Sequence, residues 1–315
     1  MLTDVIRAGR ADLYSIFRTR AHDCARALAI EDGSRKLTYA ELLERVDRLA
    51  AVFLARGVAP GDRIAILSHN RSEYLEVELA AAGIGAIVAC LNWRLAPDEL
   101  RHCIDLVEPV LAVVEPELSE AYRAVASTPC LTVGPDLETA IAGVEPDPRT
   151  GTMVDDPEAG LTILYTSGTT GLPKGAHISH RAHIARSMVF AAQLALDPGD
   201  GFIAWAPMFH MASTDHALAT ILRGGTVVMV DGLQPAVINE ALSRHRIGWF
   251  VMMPGALEAF INERHANPLP LKGIKVCGAM ADLVPPHQIA ELTGLLDTPY
   301  LNSFGATETG LPPGT

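Results

Sequence analysis

Short apolar runs alternating with helix-period patterns predict an α/β fold for this chain: mostly parallel sheets, flanked by helices, in two packed subdomains. Three observations carry the prediction. The runs "RIAIL", "AIVACL", "VLAVV", "LTILY", "FIAWA", "TVVMV", "IGWFVMM" and "IKVCG" read as buried strands. Helical patterns with start and stop signals lie between them. A length of 315 residues with 49% hydrophobic content gives about two domains, each with a core to bury.

Taken in order, the clearest helix covers residues 38–57. Thr38 and Glu41 form a T-x-x-E capping box, Leu42, Val46, Leu49 and Phe53 share one face, and Gly57 supplies the stop. Further helices are expected from near Ser72 ("SEYLEVELAAAG"), from near Ser179, and over about 235–245 and 254–264. The segment 143–159, "GVEPDPRTGTMVDDPEA", is polar and rich in proline and acids. It reads as a surface linker between an N-terminal subdomain over 1–150 and a second over 151–315.

Composition removes several function classes. A formal charge of −12 and the lack of a Lys/Arg cluster argue against nucleic acid as partner. A local cradle of donors remains compatible with a small anion, because distant charges are screened beyond about 8 Å. The longest uncharged stretch, Leu79 to Trp93, is shorter than the roughly 20 residues of a membrane span. The opening "MLTDVIRAGRADL" is too charged for a signal peptide, so the expected location is the cytoplasm. Five widely spaced cysteines without a C-x-x-C pair indicate neither a disulfide framework nor a zinc site. A homo-oligomer stays open.

The chemistry concentrates in "LYTSGTTGLPKGAHISH" (164–180). Read alone, such a Gly/Ser/Thr stretch is as well explained by a flexible tether. Here it leaves the buried run "LTILY" and leads toward a helix near Ser179, the placement in which backbone N–H groups converge on an anion. Gly168, Gly171 and Gly175 permit close backbone approach, Thr166, Ser167, Thr169 and Thr170 add hydroxyl donors, and Lys174 adds a positive charge. Donors without a competing carboxylate point to phosphate. The stretch is not a Walker A loop, since Pro173 precedes the lysine and Gly175 follows it, nor a G-x-G-x-x-G dinucleotide turn.

"YTSGTTGLPKG" resembles the phosphate-binding signature of the adenylate-forming superfamily: acyl-CoA synthetases, nonribosomal adenylation domains and luciferases. Other stretches agree in the same chain order. Residues 37–67 resemble the family's first helix and strand, "GAIVACLNWRLAPDEL" (85–100) its second motif, "APMFHMAS" (206–213) the segment lining the acyl pocket, and "NSFGATETG" (302–310) its N-x-Y-G-x-T-E motif.

The resemblance implies joining of a carboxylic acid to the α-phosphate of ATP, with Mg²⁺, and passage of the acyl group to the thiol of coenzyme A. By the same resemblance Thr166, Ser167, Thr169, Thr170 and Lys174, with Gly168 and Gly171 shaping the loop, clasp the β- and γ-phosphates. Thr307 donates to the α-phosphate and Glu308 holds Mg²⁺. Gly278 and Ala279 pack against adenine and the acyl chain, with a plain strand end as the alternative. Asn302, Phe304 and Gly305 complete the nucleotide site, Phe304 keeping the stacking face of the family's tyrosine without its hydroxyl. His210 gates the passage between acyl site and thiol channel; as a lone histidine it would read as core. Thr170, Lys174, His210 and Glu308 are the residues expected to carry catalysis.

Met208, Met211, Met252 and Met253 are candidates to line an apolar acyl pocket, against methionine's commoner use as core filler. Full-length relatives continue past this point into a β subdomain, a hinge and a C-terminal domain that supply a ribose-binding aspartate and a catalytic lysine. The chain alone is therefore expected to bind ATP weakly at best and to turn over poorly or not at all. Two other readings stay open: a noncatalytic nucleotide- or acyl-binding remnant, and an amino-acid adenylation domain. In the latter, Asp215 of "MASTDHAL" lies in about the region where a substrate amine is held.

Overall fold

The computed structural model describes residues 11–166, 171–279, 283–302 and 305–310. After α1 (Leu13–Asp23) come the hairpin β1 (Leu28–Asp32) and β2 (Arg35–Thr38), then α2 (Tyr39–Ala55), β3 (Arg63–Leu67), α3 (Ser72–Ile84), β4 (Ile87–Cys90), α4 (Pro97–Val107) and β5 (Leu111–Val114). A short α5 (Ser119–Arg123), β6 (Cys130–Thr132) and α6 (Pro135–Ala142) precede β7 (Gly160–Thr166), β8 (Lys174–Ser179) and α7 (His180–Gln193). The remainder alternates: β9 (Gly201–Ala204), α8 (Met211–Arg223), β10 (Val227–Met229), α9 (Pro235–Arg244), β11 (Ile247–Val251), α10 (Leu257–Ala266), β12 (Ile274–Ala279), α11 (Pro286–Leu296) and β13 (Tyr300–Asn302).

Two sheets result, ordered β13-β12-β11-β9-β10-β1-β2 and β6-β5-β3-β4-β7-β8. Each is parallel except at one edge, where β2 and β8 run antiparallel to their hairpin partners. Both sheets draw strands from either side of residue 150, because β1 and β2 join β9–β13 while β7 and β8 join β3–β6. The chain therefore crosses between the sheets more than once, and no single cut in the sequence separates them.

All eight apolar runs became strands, with ends shifted by no more than two residues. The long helix is as its pattern requires. Glu41 N donates to Thr38 Oγ1 at 3.3 Å, Thr38 N donates to the Glu41 carboxylate at 2.8 Å, and Leu42, Val46, Leu49 and Phe53 are fully buried. The helix α3 is buried along its whole length and packs on strands of both sheets, which explains an apolar sequence without a polar face. Its buried acids need partners: Arg35 and Arg45 hold Glu76 at 2.9 Å each, and Arg35 also pairs Glu73 at 2.8 Å. Of the cysteines, Cys90, Cys103 and Cys277 are buried and none is bonded, as packing residues should be. No helix among the described residues is long and apolar enough to cross a membrane.

The carboxyl edges of the two sheets meet. Asn70, in the turn after β3, is buried and its amide donates to the carbonyls of Ala204 (2.9 Å), Ala206 (2.7 Å) and Val230 (3.1 Å), while its oxygen accepts from Met208 N at 2.8 Å. Ser72 N donates to Asp32 at the end of β1 at 2.8 Å. In open α/β sheets this edge is where ligands bind.

Candidate functional site

β7 and β8 pair from Gly160↔Ser179 to Thr166↔Lys174, so the Gly/Thr segment is the tip of a hairpin. This corrects the expectation that it feeds a helix. A six-residue edge strand intervenes, and α7 starts only after it, capped by Ser179 whose Oγ accepts from Ala182 N at 3.1 Å. The strand "KGAHIS" buries Ile178 alone, so no apolar run announces it. No helix N-terminus stands directly behind Thr166 and Lys174, because β8 separates them from α7. Ser167, Gly168, Thr169 and Thr170 lie outside the described residues, as does Phe304.

Thr166 and Gly171 (φ +97°) line a cavity of about 160 Å³ together with Asn92, Leu95 and Glu99. Lys174 is Thr166's ladder partner, but it lines the adjoining cavity of about 720 Å³, walled by Leu106, Leu172 and His177. Pro173 borders both, its carbonyl 3.1 Å from His102 Nε2. Lys174 is exposed and forms no ion pair among the described residues.

At the other end of the site, the parallel strands β12 and β13 place Ala279 opposite Asn302 and Gly278 opposite Leu301. A Cβ at Gly278 would lie 2.1 Å from the Leu301 carbonyl oxygen, so close strand packing alone requires glycine there, whatever else it touches. Residues 306–310 form a tight turn, with Thr309 N and Gly310 N donating to the Ala306 carbonyl at 3.0 and 2.8 Å. Gly305 and Glu308 are exposed, Thr307 is half-buried, and Glu308 forms no ion pair among the described residues.

No described contact runs directly between the hairpin tip and this turn; side chains from α7 and α8 and from the loops before α4 and α8 lie at the same edge. Asn92 beside Thr166 is followed by Trp93, whose ring meets Phe209 edge-on at 6.4 Å, with the Arg94 guanidinium 4.8 Å above the Trp93 ring. His210 follows Phe209 and caps α8, its Nδ1 accepting from Ala212 N at 3.3 Å. One turn further, Asp215 accepts from Arg186 Nη1 at 2.9 Å, and Arg186 Nη2 donates to the Thr307 carbonyl at 3.0 Å. Asp215 Oδ1 also lies 3.2 Å from His183 Nδ1.

The electrostatics follow. His210 is exposed on one side, and desolvation by the chain around it lowers its pKa, with Asp215 opposing. Burial pushes the Asp215 carboxyl up, yet His183 and Arg186 outweigh it and hold the group ionised, below its ordinary value. Of the methionines, Met208 and Met252 are core, while Met211 borders a cavity of about 10 Å³ beside Arg186, Phe190 and Asp215, room for one water. Asn70, Trp93, His183 and Arg186 were not picked out by sequence. Asn70 carried one usable signal, a polar residue directly after a strand's carboxyl end; the others meet partners distant in the chain.

Comparison with known proteins gives one consistent picture. The model of the AMP-binding enzyme family matches residues 17–312. A feruloyl-CoA synthase from Amycolatopsis sp. is 34% identical over 76% of this chain and 48% of its own length. An indoleacetate–CoA ligase from Aromatoleum aromaticum is 31% identical over 89% of this chain and 57% of its own. The chain thus spans about half the length of the curated relatives it matches. Among solved structures, ATP-bound MatB from Rhodopseudomonas palustris superposes with a TM-score of 0.79 at 26% identity, covering 96% of this chain and 61% of that one. A Mycobacterium tuberculosis fatty acyl CoA synthetase shares the fold at TM-score 0.83 and 22% identity, covering 95% and 60%.

Proposed function

The chain belongs to the AMP-binding enzyme family, and from that premise we propose that it serves the ATP-dependent activation of a carboxylic acid to its acyl-adenylate, followed by thioester formation with coenzyme A. The observation that carries this reading is that Thr166, at the carboxyl end of β7, and the 306–310 turn that follows β13, held by Arg186 through the Thr307 carbonyl, both stand at the carboxyl ends of their strands. The relatives named as CoA ligases favour coenzyme A as thiol acceptor. Their names also favour an aromatic acid.

In this reading the hairpin tip binds the phosphate tail of ATP. Thr166, the loop amides and hydroxyls, and Lys174 each contribute charge-assisted hydrogen bonds of about 1.5–3 kcal/mol. Lys174 is suited to that role because it is exposed, and among the described residues no carboxylate competes for it. Glu308 fits a magnesium ion carried in by the nucleotide: one exposed carboxylate supplies a hard oxygen and the phosphates supply others. Such an ion neutralises phosphate charge as a Lewis acid. The base is assigned to the paired strand ends at Gly278, Ala279 and Asn302. His210, its Nδ1 lone pair occupied by a backbone N–H, orients the acyl group instead of removing a proton. An amino-acid substrate is disfavoured, because Asp215 is already committed to Arg186 and His183.

Calorimetric titration of the 315-residue chain with ATP, with and without Mg²⁺, tests the reading. Saturable binding is expected, weakened at least about tenfold by Lys174→Ala under both conditions and by Glu308→Gln only with Mg²⁺ present. Absence of binding, or equal affinity in Lys174→Ala, would contradict a working phosphate cradle in this chain.

A further inference from the structure

Arg186 joins three elements that are far apart in sequence. Its Nη1 donates to Asp215 Oδ2 on α8 at 2.9 Å and its Nη2 to the Thr307 carbonyl at 3.0 Å. Its stem lies so close to Gly310 (φ +70°) that a Cβ there would meet Arg186 Cδ at 2.8 Å. Asp215 is in turn steadied by His183, whose Nδ1 lies 3.2 Å from Oδ1 and whose Nε2 is 2.9 Å from Thr162 Oγ1. Thr162 is fully buried on β7, four residues before Thr166, so this buried path starts at the base of the phosphate hairpin and ends on the turn that carries Thr307 and Glu308. The cavity beside the Arg186–Asp215 pair has room for only one water, which keeps substrate away from the pair and leaves it nearly dry. There a two-pronged guanidinium holds geometry far better than a mobile surface pair would.

We propose that Arg186, anchored by Asp215 and His183, is a positioning residue that fixes the 306–310 turn, and with it the Glu308 carboxylate, at the distance from the phosphate hairpin that Mg-ATP requires. The sequence places Asp215 where an amine-binding acid could stand; the structure gives it the task of orienting an arginine. The inference rests on the nucleotide reading for what the turn is held for, but not for the statement that Arg186 holds it.

The test uses Arg186→Lys in the 315-residue chain. Lysine keeps the buried charge pair with Asp215 but lacks the fork that reaches Thr307 at the same time. Hydrogen exchange at the Thr309 and Gly310 amides should quicken by about tenfold, with exchange in β7 and β12 and the unfolding temperature close to wild type. The factor by which Mg²⁺ tightens ATP binding should fall at least about fivefold, whereas Lys174→Ala should weaken binding without altering exchange at Thr309 and Gly310. Asp215→Asn, which keeps the shape and removes the charge anchoring Arg186, should move both readouts in the same direction and serves if Arg186→Lys does not fold. Unchanged exchange at Thr309 and Gly310 in the folded variant overturns the proposal. Accelerated exchange in a chain whose wild type binds no Mg-ATP would uphold the positioning role and sink the nucleotide reading alone.

Discussion

Glu78 shows how strongly the interior of this chain prices charge. It is fully buried on α3, with Thr214 Oγ1 donating to it at 3.3 Å, and burial above all raises its pKa to about 8. The folded chain therefore keeps a proton that the unfolded chain releases above about 4.5, and the stability owed to Glu78 declines as pH rises from about 4.5 to about 8. The full shift corresponds to several kcal/mol, on the order of 5. Glu78→Gln should flatten the fall in urea-unfolding stability between pH 6 and pH 9 that wild type is expected to display; a parallel pH profile would show that Glu78 is not the titrating group. Asn70 is the second telling residue. The Val230 carbonyl and the Met208 amide from the other sheet rely on it, while the Ala204 and Ala206 carbonyls also accept from Val230 N and Ser213 Oγ. Asn70→Ala should cost roughly 2–4 kcal/mol by leaving two buried groups unpaired, read as a lower urea midpoint with an unchanged slope.

At the level of elements, the helix α2 needs no tertiary information to be foreseen, since its capping box and apolar face are both written in residues 38–53. Thr38→Ala should destabilise by about 1 kcal/mol, measured by chemical denaturation; no loss would mean that the tertiary contacts alone hold the N-terminus. The central strands were equally legible, because strands buried on both faces must be apolar throughout. Five strands escaped notice: β1, β2, β6, β8 and β13. β2, β6, β8 and β13 lie at sheet edges, where one ladder side is exposed and the apolar pattern thins out, while β1 is interior but its run "LAIED" is broken by two acids. β8 had the largest consequence, since reading through it turned a hairpin tip into a helix entrance. α8 was missed for another reason: its cap is His210, whose ring nitrogen accepts from Ala212 N, and histidine is not among the residues that ordinarily mark a helix start.

Over the whole molecule, what the sequence carried was a set of chemically loaded strings in family order; what it lacked was their assembly. Thr166, Lys174, Gly278, Asn302, Thr307 and Glu308 were nominated from motifs, and the structure places Thr166 against Lys174 and Ala279 against Asn302 by strand pairing. The intermediaries that connect the two ends, Trp93, His183 and Arg186, have partners 29 to 121 residues away where the hydrogen bonds are made by Arg186. No local pattern encodes separations of that length. The interleaving of the sheets has the same origin, since β1 finds β10 across nearly two hundred residues of chain. It also sets the central claim, that hairpin tip and 306–310 turn are two walls of one nucleotide site. The most direct measurement is hydrogen exchange with and without Mg-ATP on the 315-residue chain. The account predicts slowed exchange at the amides of Gly171, Leu172 and Lys174 and, in the same titration, at Thr307 to Gly310. Protection confined to one of these segments, at nucleotide concentrations that saturate it, would contradict a shared site.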